Sequence, residues 1–125
     1  MKNFFALLIP YLLFFFSPIV MILFTTGVLV FTDMITGIFA AKKRGEITDS
    51  KKMARSISKI IFYFIAILLS RIMEITFIHW LPLANITAGY IALVEFKSNF
   101  ENIHTITGLN IWKVLINKIN NQKPQ

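Results

Sequence analysis

The sequence predicts an all-α, polytopic membrane protein with three to four transmembrane helices and a short C-terminal amphipathic helix. Three observations carry this expectation. Residues 3–32, thirty in a row, hold no charge, a run longer than the ~20 apolar residues that a membrane helix needs. The chain of 125 residues is 56% hydrophobic with 13 phenylalanines, more apolar surface than one small soluble domain hides. Seven of the 13 Lys and Arg residues fall within 42–59, against Glu46 and Asp49 alone, the signature of a short loop kept on the cytoplasmic side.

The elements follow in order within one membrane domain, 1–125. Segment 3–16 is apolar, interrupted by Pro10 and closed by Ser17-Pro18. As a helix it is ~20 Å long, short of the ~30 Å hydrocarbon core, so its membrane placement is left open. A secretory signal peptide is the rival reading of this end. Lys2 supplies a minimal positive region, but the apolar stretch is too long and no A-x-A-like site follows. Segment 18–41 is a transmembrane helix that starts on Pro18, tolerated in a first turn. Lys42, Lys43 and Arg44 close it as membrane-surface anchors that also suit a helix C-terminus, and Gly45 permits the turn.

A basic cytoplasmic loop, 42–57, follows, in which Thr48, Asp49 or Ser50 is a candidate helix cap. The next transmembrane segment, 58–81, contains Arg71 and Glu74, is stopped by Pro82 and ends near Trp80, an expected headgroup-level anchor. Segment 85–107, the least hydrophobic, is long enough to be a further crossing, with a polar stripe that must meet protein or water. Gly108 stops it. Leu109, Trp112, Leu115, Ile116 and Ile119 then recur at helical spacing, giving an amphipathic interfacial helix over 109–120 with Trp112 as an anchor. The tail, 121–125, is polar and expected to be disordered. Basic clusters on both sides of the last two segments place loop 42–59 and the C-terminus, with Lys113, Lys118 and Lys123, in the cytoplasm.

Most soluble functions are excluded. No cysteine is present, so neither disulfides nor thiolate metal sites form. The net charge of +7 would suggest nucleic acid in a soluble protein; between apolar segments it belongs at the membrane surface, and no nucleic-acid partner is expected. His79 and His104 lack any metal-ligand spacing, and Ser17, Ser70 and Ser98 have no base at catalytic spacing. No catalytic residue, cofactor or metal is expected, and the chain is read as no enzyme.

Two motifs remain. Asp33-Met34-Ile35-Thr36-Gly37 runs on through Ala40-Ala41-Lys42, and Glu95-Phe96-Lys97-Ser98-Asn99-Phe100-Glu101-Asn102 forms an E-x-x-S-x-x-E-N series. In this order, around a basic loop, they resemble the phage holin family of the pneumococcal-phage and clostridial toxin-secretion type. The resemblance spans residues 30–115. It implies a small protein of the bacterial inner membrane that accumulates, forms homo-oligomers and opens a lesion. Through that lesion an endolysin or another exported folded protein leaves the cell.

The residues carry a physical case of their own. Asp33, Gly37 and Ala41 stand at i, i+4 and i+8, a face on which small residues let helix backbones approach; with Ala40 they form the candidate packing and oligomerisation seam. Arg71, Glu74, Glu95, Ser98, Glu101 and Asn102 are the candidate intramembrane polar contacts, as pore lining, subunit interface or links within one chain. By depth, Arg71 is a possible partner of Asp33, and Glu74 of Arg71 within its own helix. The function expected is a holin-like pore former acting with the lipid bilayer. The alternatives are a structural subunit of an export or defence complex, and a membrane-disrupting abortive-infection effector.

Overall fold

The computed structural model describes residues 2–47 and 50–122. Among them are five helices: α1 (Lys2–Phe16), α2 (Val20–Lys43), α3 (Ser50–Thr76), α4 (Leu83–Thr107) and α5 (Ile111–Asn121). Thr48 and Asp49, named above as caps, and residues 123–125 with Lys123 lie outside the described residues.

Two of these helices, α2 and α3, are long and apolar enough to cross a membrane. That corrects the expectation of three to four. The 15 residues of α1 reach ~22 Å, short of a hydrocarbon core of ~30 Å. The 25 residues of α4 are sufficient in length. Glu95, Lys97, Glu101 and three asparagines make it too polar to count as a crossing by composition.

Two further boundaries differ from the sequence reading. Helix α3 begins at Ser50, so Lys51, Lys52 and Arg55 occupy its first turns rather than a loop. It also ends at Thr76, which leaves Trp80 in the 77–82 link, 82% exposed.

Helix α4 packs against both α2 and α3, and these two touch each other less extensively. The periodicities explain the arrangement. On α2 the buried residues are Thr26, Val30, Ala40 and Ala41, with Asp33 and Gly37 half-buried between them at spacings of three and four. On α4 the inward series is Ala84, Ala88, Ile91, Glu95 and Asn99. Small residues make up much of the α2 face and begin the α4 series, which lets the two backbones approach. Large apolar side chains point the other way: Phe24, Phe31, Phe39 and Phe62 are all exposed. Bulk hydrocarbon outside and polar groups inside is an arrangement for an apolar surrounding.

An apolar core of Ile19, Ile67, Ala84, Ala88 and Ile91 fills one end of the bundle. Beyond it α1 stands almost clear, with Phe4, Phe5, Leu7, Tyr11 and Phe14 exposed and Pro10 inside the helix. At the other end Gly108 takes a left-handed backbone (φ 76°) to end α4. Helix α5 then turns off, capped by the Asn110 side chain accepting from the Lys113 amide at 3.0 Å.

Candidate functional site

Three helices bring their polar residues to one place. The ammonium of Lys59 on α3 donates to Asp33 Oδ2 on α2 at 2.9 Å and to Glu95 Oε2 on α4 at 2.8 Å. Glu95 has no solvent exposure, and its other oxygen accepts from the Tyr63 hydroxyl at 2.8 Å. The second oxygen of Asp33 accepts from Ser98 Oγ at 2.6 Å and from Asn102 Nδ2 at 3.0 Å. The Asn102 amide also donates to Thr36 Oγ1 at 3.1 Å. Asn99 donates to the carbonyls of Leu29 at 3.1 Å and Glu95 at 2.8 Å, which stitches α4 to the α2 backbone.

Two carboxylates thus share one ammonium, and hydroxyl and amide donors complete their coordination. Among the described residues no buried side-chain nitrogen or oxygen lacks a hydrogen-bond partner. Such completeness is what makes a buried ionic group tolerable.

A second polar node lies toward the other end of α3. Arg71 pairs with Glu74 one turn on. The guanidinium also donates to the carbonyls of Phe14 and Phe15, each at 3.3 Å, and so satisfies orphan carbonyls where α1 ends. The free oxygen of Glu74 accepts from the Ala84 amide at 3.1 Å, serving the first turn of α4. Ser70 and Thr87 hydroxyls meet beside it at 2.7 Å.

These contacts sort the residues named from sequence. Asp33, Glu95, Ser98 and Asn102 converge. Arg71 does not reach Asp33: the partner is Lys59, counted above only as the end of the basic cluster 42–59, whereas α3 starts at Ser50 and carries Lys59 level with Asp33. Glu74 does pair with Arg71. Glu101 points away, its carboxylate 3.6 Å from Lys97 with both side chains largely exposed. Ala40 and Ala41 are fully buried within the chain. A Cβ on Gly37 would meet Asn102 Nδ2 at 3.5 Å, so the glycine lies beside the cluster.

Of the surface residues, Lys42 sits over the Phe39 ring at 5.9 Å, and Lys43 donates to the carbonyl of Ile106. Arg44 pairs with Glu46 at 2.7 Å. Trp112 meets the Phe96 edge with ring centroids 6.4 Å apart.

Lys59, Tyr63, Thr36 and Asn99 were missed as site residues. A signal for two of them existed: Ser56, Lys59, Tyr63, Ile67 and Arg71 advance by three or four along one face of α3. Among the described residues no group of three His, Asp or Glu could hold a metal ion.

The sequence model of the bacteriophage holin family matches residues 10–123, nearly the whole chain and both polar nodes. No curated protein and no solved structure matches.

Proposed function

Because the chain belongs to the bacteriophage holin family, a family of membrane-associated helical proteins, we propose that it is a non-enzymatic pore former of the bacterial inner membrane. In this reading copies accumulate, assemble, and open a path by which an endolysin or another folded cargo leaves the cytoplasm. The observation that carries it is the ionic cluster of Asp33, Lys59 and Glu95 enclosed by an apolar exterior. A membrane-inserted protein that lines an opening with water needs polar surface in reserve, and this cluster with Ser98 and Asn102 is such a reserve. Assembly then exchanges contacts within one chain for contacts between chains. Asp33, Gly37, Ala40 and Ala41 offer the close-packing face, and Arg71, Glu74 and Glu101 add polar contacts.

The test is induction of this chain alone in a bacterium, with membrane potential followed against time. The expected result is a collapse of potential after a lag, and release of a co-expressed cytoplasmic cell-wall hydrolase. Full accumulation in the membrane with the potential intact would refute the reading. One observation favours a second reading, a structural subunit of a larger export or defence complex: the polar groups are already satisfied inside one chain. Co-purification with unrelated partners at fixed stoichiometry, without depolarisation, identifies that case.

A further inference from the structure

The turn between α2 and α3 carries more positive charge than the cluster below it uses. A cavity of about 170 Å³ opens there, and its lining includes Arg44, Lys52, Arg55 and Lys59, with Asp33 on the side of the cluster. The volume is about ten times the ~15 Å³ that admits one water, room for a tetrahedral oxyanion with part of its hydration.

Three carboxylates answer these four cations. Asp33 and Glu95 are committed to Lys59. Glu46 accepts from Arg44 through both oxygens, at 2.7 and 3.2 Å, and from Lys52 at 3.0 Å. Arg55 is exposed and has no ion-pair partner among the described residues. A forked guanidinium and an ammonium closing on one pair of oxygens is the coordination that phosphate oxyanions receive from proteins. Glu46 stands in that position now. It belongs to the exposed turn past the end of α2, so its side chain leaves without disturbing either helix.

The geometry points to a binding site for a phosphate-bearing anion, built by Arg44, Lys52 and Arg55 at this cavity mouth and filled in the free protein by Glu46. Helices α2 and α3 are the two able to cross a membrane, so the turn that joins them lies at headgroup depth. The phosphodiester of an anionic lipid and free phosphate share the required chemistry.

The full chain in non-ionic micelles is titrated with short-chain phosphatidylglycerol, with short-chain phosphatidylcholine and, separately, with inorganic phosphate. Retention is counted by native mass spectrometry. One phosphatidylglycerol per chain is expected to be held about tenfold more tightly than phosphatidylcholine. Arg55→Gln is expected to weaken retention about tenfold, the effect of losing one charge-assisted hydrogen bond. Glu46→Gln is expected to strengthen it, because the internal competitor loses its charge. Circular dichroism in the same micelles checks that both variants keep their helices.

Phosphate retained with the same variant dependence supports the site with a soluble anion as its source, and retention of phosphatidylglycerol alone supports it with the lipid. Retention of neither overturns the assignment, as does equal retention by parent and Arg55→Gln, or a weakening by Glu46→Gln. Micelle retention requires no pore, so this result and the depolarisation result stand apart.

Discussion

Lys59 is held at 2.9 Å from Asp33 and 2.8 Å from Glu95, so its replacement strands two carboxylates at once. Lys59→Met keeps most of the apolar stem and removes the charge. Loss of one partner from a buried ion pair costs about 3–5 kcal/mol. The expected outcome is a clear fall in Tm in micelles, partly restored in Lys59→Met/Glu95→Gln. A melt of the single variant that matches the parent would show the ammonium to be dispensable. This residue also marks the limit of the sequence reading. Asp33 was legible because it ends a run of 30 uncharged residues, and Glu95, Ser98 and Asn102 because they recur every three or four positions. Lys59 was hidden by its neighbours: it was counted with six other cations as one of the cytoplasmic basic cluster 42–59. Glu101 was drawn in for the opposite reason, since it adjoins Asn102 in sequence while one residue turns ~100° around a helix.

Among the elements, α1 depends most on a single side chain. Its outward residues touch little of the bundle, and Arg71 fastens its last carbonyls through Phe14 and Phe15. Arg71→Gln is expected to speed amide hydrogen exchange through residues 2–16 and to leave exchange around Glu95 unchanged; uniform acceleration would mean that the whole bundle relies on this arginine. The turn after α2 makes a separate prediction. Arg44 first, then Lys52, hold the Glu46 carboxyl down to about 2 from its ordinary 4.5. A lowered acid contributes stability above its ordinary value, and that contribution disappears as pH falls toward about 2. Carbon-13 NMR of the Glu46 carboxyl should therefore give a midpoint near about 2, rising in Arg44→Gln. Helix starts were the least legible part of these elements, because the basic residues of α3 are polar enough to resemble a loop yet form good helix.

At the scale of the molecule, α2 and α3 are the two helices long and apolar enough to cross a membrane; we propose that both do, which puts the 44–47 turn and the 77–82 link on opposite faces of the bilayer. The absence of cysteine makes this directly measurable. Ile47→Cys and Phe77→Cys, at positions 90% and 69% exposed, are expected to react with an impermeant thiol reagent from opposite sides. Labelling of both from one side would exclude the hairpin. The all-helical class and the membrane setting were legible from apolar run length and from the distribution of cations. The number of crossings was not, because α4 has the length of one but turns Glu95, Asn99 and Asn102 to other helices and leaves Lys97 and Glu101 exposed. One consequence belongs to Pro10. Proline withholds an amide hydrogen, so the oxygen of Ala6 lacks the donor a turn further on. On a helix this apolar and this exposed, that oxygen has to take its hydrogen from outside the helix's own backbone ladder.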